Sequence, residues 1–94
     1  VPHGTAVEVT TFEHRSDKDI IYIAANIYCE KASHKGIIIG REGSLLRRIG
    51  EQARCDIENL LGNRVFLDLW VKVRKKWRED ERFLRSIGYG KGST

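Results

Sequence analysis

The order of strand, helix and strand in the middle of the sequence restricts the possible folds more than any other feature. Residues 20–29 are apolar at nearly every position, which is typical of a strand that lies in the middle of a sheet. Residues 65–74 show the most regular alternation in the chain, which indicates a strand with one packed face and one face in solvent. The side chains expected on its packed face are Val65, Leu67, Leu69, Val71 and Val73.

The segment between these strands predicts a helix over residues 44–61, with Gly62 in the position favoured just after a helix end. Its expected core positions, spaced by three and four, are Leu46, Ile49, Ala53, Ile57 and Leu60. Gly50 inside the helix indicates close backbone packing there. Because a strand, a helical crossover and a second strand usually return in parallel, the third strand is expected beside the second and parallel to it.

The remaining segments complete an α+β fold. Residues 6–14 read as a first strand, joined to the second by a polar hairpin turn at 15–19 and therefore antiparallel to it. A last helix is expected from the acidic residues 79–81 to Ile87, with Gly88 as its end. Together these predict a three-stranded mixed sheet with helices packed on one face, and residues 90–94 as a disordered tail.

Length and composition limit the class of protein. A chain of 94 residues, with 40% hydrophobic and 32% charged side chains, suits one globular domain. The longest apolar run, residues 20–25, is too short to cross a bilayer, and the amino end lacks a signal segment. We therefore expect a cytosolic protein.

The cysteine and histidine residues predict neither a disulfide nor a metal site. Without a secretory signal, Cys29 and Cys55 are expected to be small buried hydrophobic residues and not a disulfide. With His3, His14 and His34 they show none of the short paired spacings that hold zinc, so we expect no metal.

Positive charge collects in two segments of a chain whose net charge is +4. Residues 34–54 contain five basic and two acidic residues, and residues 64–78 contain six and one. If the two segments are neighbours, they form a basic patch suited to a polyanion; the alternative is a solvated basic surface. The same choice, phosphate contacts or a solvated edge, stays open for Lys72, Arg74, Lys75, Lys76 and Arg78.

The most informative motif is Gly40-Arg41-Glu42-Gly43, which lies between the apolar run 37–39 and the predicted helix. Two glycines three apart mean little alone, but here they remove β-carbons where phosphates could approach the start of a helix. Arg41 and Arg47 add positive charge.

This context resembles a KH domain, whose glycine loop joins two helices and binds a nucleic-acid backbone. Further motifs, at residues 2–4, 69–73, 77–81 and 84–89, make residues 1–89 closely similar to the carboxyl-terminal domain of the Era family of bacterial GTPases. The resemblance implies a type II KH domain over 1–89, and it implies a short helix at 33–39, where propensity favours a strand. It also implies that the chain is one domain of a longer protein.

The resemblance implies a function in binding single-stranded RNA, with the 3′ end of 16S ribosomal RNA as target and small-subunit assembly as context. It implies a GTPase domain in the same longer chain, possible peripheral contact of that chain with the inner membrane, and no cofactor for this segment. Glu42 departs from the basic or neutral residue common in such loops, which predicts reduced phosphate affinity. The RNA-binding residues expected are Lys35, Ile39, Gly40, Arg41, Glu42, Gly43, Ser44, Arg47 and Arg48.

Three alternative functions have less support in the sequence. An enzyme built on Glu42, Asp56 and Glu58, or on His34 with Cys29, has no supporting motif, and the segment has no nucleotide-binding Gly-x-x-x-x-Gly-Lys-Ser/Thr loop. A KH domain of another ribosome-associated protein, or a protein-interaction domain, is disfavoured by residues 84–89. Trp70 and Trp77 are expected to be buried anchors between the last helix and the sheet, with base stacking as the alternative.

Overall fold

The computed structural model describes residues 4–88, and the predicted tail at 90–94 lies outside them. The elements, in chain order, are β1 (Ala6–Arg15), β2 (Ile20–Cys29), α1 (Ala32–Ile39), α2 (Ser44–Leu61), β3 (Arg64–Val73) and α3 (Glu81–Ser86). Single 3-10 turns precede α2 at Arg41–Gly43 and α3 at Trp77–Glu79. Among residues 4–88, no helix combines the length and the apolar content needed to cross a membrane.

The strands form one mixed sheet in the order β1-β2-β3. β1 pairs with β2 in antiparallel orientation, with an irregularity between Val9 and Thr11. β2 pairs with β3 in parallel, with Ile20 opposite Arg64 and Cys29 opposite Val73. This confirms the predicted fold class, in which the apolar segment 20–29 is the central strand.

Helices α1 and α2 cover one face of the sheet, as predicted. Their contacts with it form two core clusters, which sit at opposite ends of β3. One contains Ile21, Ile23 and Val65 with Ile57 and Leu67 packed against it. The other contains Cys29, Ile38 and Val71 with Ile27, Ile39 and Leu46 packed against it.

The segment containing Trp77 and α3 closes over one end of the opposite face. Ala6 and Tyr28 are paired across the strands, and Tyr28 alternates with Cys29, so both point away from α1 and α2. They pack with Trp77 and Phe83, whose ring meets that of Tyr28 edge-on at 4.8 Å. The indole Nε1 of Trp77 donates to the Gly4 carbonyl at 2.9 Å. Trp77 is therefore the anchor that was predicted.

The prediction that Trp70 is also a buried anchor is wrong. Its side chain is 58% exposed, because β3 alternation places it on the face away from α1 and α2, beyond the reach of α3. Val73, expected on the packed face, is 39% exposed at the end of its strand.

Three predictions for helix α2 also need correction. Leu60 is 82% exposed, because the last turn of α2 has no neighbour on that side. Ile49 is only half-buried, since it lines a shallow depression with Leu45 on the side of α2 away from β3. Cys55 is exposed, whereas Cys29 is fully buried as predicted, and both are free thiols. A helix on a three-stranded sheet buries one narrow stripe, so helical spacing overestimated this core.

Candidate nucleic-acid interface

The backbone between α1 and α2 turns through left-handed conformations. α1 covers Ala32–Ile39, which confirms the expected helix, although three consecutive isoleucines favour a strand locally. Burial explains why a helix forms here, because the Ile38 side chain of α1 is fully buried against the sheet while that of Ile37 is 55% exposed. After α1, Gly40, Glu42 and Gly43 have φ values of 75°, 55° and 76°.

The two glycines of this loop have different surroundings. A β-carbon on Gly40 would lie 2.7 Å from the Leu45 β-carbon, so this position excludes any side chain. A β-carbon on Gly43 would meet nothing within 4 Å. Gly40 therefore lets the loop pack against α2, whereas Gly43 presents open backbone at the start of α2, where the amide groups are suited to an anion.

A groove of about 350 Å³ begins at Gly43 and runs between α2 and β3. Its lining consists of Gly43, Leu46, Arg47, Gly50, Glu51, Arg54, Leu67 and Leu69. The two strand leucines and Leu46 form an apolar floor, and the charged side chains come from α2. Such a groove, apolar below and charged at one rim, can hold the planar bases of a single strand beside its phosphates.

The rim of the groove follows from helical spacing. Arg47, Glu51 and Arg54 lie at i, i+4 and i+7, which places them on one face of α2. Sequence reasoning selected only Arg47 of these three. The same spacing would have identified Glu51 and Arg54. The position of Leu67 and Leu69 opposite them could not be predicted, because it depends on how α2 docks on β3.

Two contacts fix the charged side chains near the groove. The Arg47 Nη2 donates to the Glu42 carbonyl at 3.4 Å, which ties the rim to the loop. The Arg54 Nη1 lies 2.8 Å from Glu58 Oε1, and Glu58 Oε2 accepts from the Val65 amide at 2.8 Å. The amide of Val65, followed by the charge and hydrogen bond of Arg54, lowers the pKa of Glu58 despite partial desolvation.

The structure separates the residues predicted to bind RNA into four groups. Gly43 and Arg47 line the groove, and Gly40, Arg41 and Glu42 form the loop at its end. Ser44, at the first position of α2, is exposed, and Lys35 is half-buried on α1. The remaining two lie elsewhere.

Ile39 and Arg48 also lie outside the groove. Ile39 packs against the cluster of Cys29, Ile38 and Val71, below the loop. Arg48 lies on the opposite side of α2, where it lines depressions with Gln52.

The second basic segment does not form one continuous ridge. Arg74 Nη2 lies 3.3 Å from Asp80 Oδ2 and its guanidinium stacks over the Phe83 ring at 4.3 Å. Arg78 Nε lies 2.6 Å from Glu30 Oε1. These two arginines hold the α3 segment to the sheet, whereas Lys72, Lys75 and Lys76 are exposed.

The possible metal ligands and the buried cysteine were the remaining candidates for chemistry between residues 4 and 88. No group of three or more His, Cys, Asp or Glu side chains there is placed to hold a metal ion. The Cys29 thiol is buried and donates to the carbonyls of Lys31 and Lys72, each at 3.6 Å. Burial raises the pKa of Cys29, so its thiol stays protonated and unreactive.

Comparison with known proteins gives consistent matches. The family model described as KH domain matches residues 1–78. The GTPase Era of Caldanaerobacter subterraneus is 58% identical over 89 residues, or 95% of this chain, and that of Geobacter metallireducens is 54% identical over the same share. The chain spans about 30% of the length of these relatives. The predicted resemblance is confirmed.

Two solved structures share the fold. Aquifex aeolicus Era, as a variant bound to GDP and aluminium fluoride, superposes with a TM-score of 0.86 at 34% identity, over 93% of this chain and 29% of that one. Era in complex with MgGDPNP and nucleotides 1506–1542 of 16S ribosomal RNA superposes with a TM-score of 0.87, also at 34% identity, over 93% and 29% of the two chains.

Proposed function

Because the chain belongs to the KH domain family, we propose that it is the single-stranded RNA-binding module of an Era-type GTPase. Its proposed target is the 3′ end of 16S ribosomal RNA, in the context of small-subunit assembly. The observation that carries this proposal is the open backbone of Gly43 at the end of the apolar groove between α2 and β3. The complex of a similarly folded Era with nucleotides of 16S ribosomal RNA supports the choice of target.

The mechanism divides phosphate binding from base binding. Phosphates approach Gly43 and the first amides of α2, while Arg41 and Arg47 supply positive charge. Bases lie against Leu67 and Leu69, which lack polar groups and therefore tolerate any base face. Glu51 and Arg54 are the groups at the rim that can select among base edges, since one accepts and the other donates hydrogen bonds.

The proposed RNA-binding set is centred on the loop and the groove. Glu42 points its carboxylate into solvent from a left-handed backbone and forms no ion pair with residues 4–88, so it opposes phosphate charge. Ile39 supports the loop from below, and Arg48 contributes only long-range charge from the far side of α2. The set is Lys35, Gly40, Arg41, Glu42, Gly43, Ser44 and Arg47, extended by Glu51 and Arg54.

The experiment that tests the proposal compares RNAs by fluorescence anisotropy. A short single-stranded RNA copying the 3′ end of 16S ribosomal RNA should bind more tightly than a scrambled strand and than the same sequence in a duplex. A chain carrying Arg41→Asp with Glu42→Asp should keep its unfolding midpoint but lose affinity, because the loop is exposed and the change at Arg41 replaces a positive charge with a second carboxylate that repels phosphate. Equal affinity of this variant and the parent would refute the loop assignment.

Further proposals concern a longer protein that would contain this chain. We propose that residues 1–89 act beside a GTPase domain of the same chain, in the cytoplasm, with the resemblance to Era as support. Peripheral contact with the inner membrane is proposed for that longer protein only. Fractionation of cells producing it, with and without a high-salt wash, tests the membrane proposal.

A further inference from the structure

The face of the sheet opposite α1 and α2 carries exposed aromatic rings. Phe66 and Trp70 of β3 are 51% and 58% exposed and share this face through strand alternation. Tyr22 of β2 lies directly opposite Phe66, with ring centroids 5.3 Å apart. The α3 segment covers only the end of the face near Tyr28, so these rings stay uncovered by residues 4–88. Rings this exposed on a sheet indicate a surface for a partner.

These rings are held in place before any partner binds. The Trp70 Nε1 donates to Asp68 Oδ2 at 2.9 Å, which fixes the orientation of the indole. The guanidinium of Arg15 covers the outer face of Tyr22 at 4.2 Å, and Tyr22 in turn supports Phe66. Because ordered rings lose little entropy on binding, Phe66 and Trp70 are suited to stacking.

Exposed cations lie at both ends of this face. Of its three carboxylates, Glu13 is paired with Arg15, whereas Glu8 and Asp68 accept hydrogen bonds from the neutral groups of Tyr28 and Trp70 and keep their charge. Within residues 4–88, Arg64 and Lys72, exposed on β3 at either end of the face, have no carboxylate within 4.0 Å. Cations at both ends of a row of planar apolar rings match a chain of bases joined by phosphates. The charge of Arg64 also acts on the Glu58 carboxylate, whose pKa it helps to lower.

The position of β3 connects this face to the groove. β3 is an edge strand, and Leu67 and Leu69 point into the groove while Phe66 and Trp70 point to the opposite side. Phe66 and Trp70 are about 13 Å apart along the strand. A flexible single strand can therefore pass over the edge of β3 from the groove to the rings, which a stiff duplex with stacked bases cannot do.

We propose that single-stranded RNA leaving the α2–β3 groove crosses the edge of β3 and stacks bases on Phe66 and Trp70, with phosphates near Arg64 and Lys72. This proposal rests on the proposed function, because it extends the same RNA beyond the groove. It assigns the open face of the sheet as a second contact surface for longer RNAs.

The experiment uses RNA length to separate the two surfaces. One probe has about four nucleotides, which a glycine loop can clamp; the other has about twelve, enough to reach the open face. Both are titrated into the 94-residue chain and into Trp70→Ala, Phe66→Ala and Phe12→Ala variants, with circular dichroism melting as the check on folding. Phe12 is the matched control, since its ring is 62% exposed in β1, on the opposite side of the sheet from Phe66.

We expect Trp70→Ala and Phe66→Ala each to weaken the affinity for the longer RNA about fivefold or more and to leave the affinity for the short RNA unchanged. Phe12→Ala should affect neither. Bound longer RNA should also quench the fluorescence of exposed Trp70, while the short RNA should not. Unchanged affinity of the longer RNA for both ring variants would overturn the proposal and leave this face to a protein partner.

The double loop variant separates failure of this proposal from failure of the proposed function. If the loop variant binds the short RNA more weakly while the ring variants bind both RNAs like the parent, RNA binding in the groove is supported and the second contact surface is refuted. If the loop variant binds the short RNA as tightly as the parent does, the proposed binding at the loop and groove is refuted. In that case, stacking on the rings would still be supported if the longer RNA quenches Trp70 fluorescence and if Phe66→Ala reduces this quenching. No quenching by the longer RNA would refute stacking.

Discussion

At the scale of single residues, neighbouring side chains decide what each glycine of the loop does. Gly40 and Gly43 have almost equal φ values, yet only Gly40 faces a side chain at a distance that excludes a β-carbon. Their ψ values also differ: −176° at Gly40, in a region that essentially only glycine adopts, and 10° at Gly43, in the left-handed helical region. Stability and RNA affinity should therefore respond differently to the same substitution at the two positions.

Alanine substitution of each glycine tests this difference. Gly40→Ala should destabilise the domain by about 2 kcal/mol or more, because strain and overlap with Leu45 add. Gly43→Ala should cost about 1 kcal/mol from strain alone, but should weaken RNA binding by placing a methyl group where phosphate approaches. Urea unfolding and RNA titration of both variants measure the two effects. A larger stability loss for Gly43→Ala would contradict the assignment.

Gly50 offers a second test, because packing does not require a glycine there. A β-carbon at this position would lie 3.6 Å from Leu69 Cδ1, an ordinary contact, so the predicted close backbone packing is only partly present. Gly50→Ala should stabilise the domain by up to about 1 kcal/mol through helix propensity. It should weaken RNA binding, since the methyl group narrows the groove. Gly36→Ala in α1, where a β-carbon meets nothing within 4 Å, is the control that should gain stability without losing affinity.

At the scale of elements, two carboxylates join the ends of helices to their surroundings. Glu58, near the end of α2, accepts from the Val65 amide of β3, and Asp80 caps α3 by accepting from the Phe83 amide at 2.9 Å. The Phe83 amide, with help from Arg74, lowers the pKa of Asp80. Both groups therefore couple the stability of the fold to pH.

The sign of this coupling follows from the lowered pKa values. A carboxylate with a lowered folded pKa stabilises the fold above its unfolded pKa, ordinarily 4.5 for Glu58 and 3.8 for Asp80. That contribution is lost as the pH falls through the folded pKa. Asp80→Asn and Glu58→Gln should each flatten the decline in unfolding free energy between neutral and acidic pH, measured by urea unfolding. A decline as steep as that of the parent in both variants would disprove the coupling.

The two faces of α2 predict different roles for adjacent arginines. Arg47 lines the groove, and Arg48 points to the far side of the helix. If Arg47 neutralises a phosphate, Arg47→Ala should weaken the affinity for all RNAs alike and should make the negative slope of log affinity against log salt shallower by about 0.7. Arg48→Ala removes the same charge at the next position and should change the slope less. Equal slopes for the two variants would show that only overall charge matters.

At the scale of the whole molecule, we propose RNA binding for this chain and assign no nucleotide hydrolysis to it. The 94 residues contain no phosphate loop with its lysine and magnesium-binding hydroxyl, although the relatives that they match are GTPases. The sheet and two helices of this chain instead form one groove with an open glycine loop at its end.

The isolated chain should therefore neither bind nor hydrolyse GTP, because it lacks the backbone cradle and lysine that hold triphosphates. Isothermal titration calorimetry with MgGTP tests binding, and phosphate release tests hydrolysis. RNA binding by the same sample is the positive control for folding. Saturable heat of GTP binding would show that the open glycine loop accepts free phosphates.

The sequence by itself determined the elements, the parallel pairing of β2 and β3 and the position of the glycine loop, because periodicity and glycine placement are local properties. The helix α1 needed the family resemblance, since its isoleucines favour a strand until Ile38 is buried against the sheet. Only the tertiary structure decided that Trp77 is covered and Trp70 exposed, and that Leu67 and Leu69 face Arg54 across a groove. These relations depend on how separate elements dock, and no pattern within a single element specifies that distance or angle.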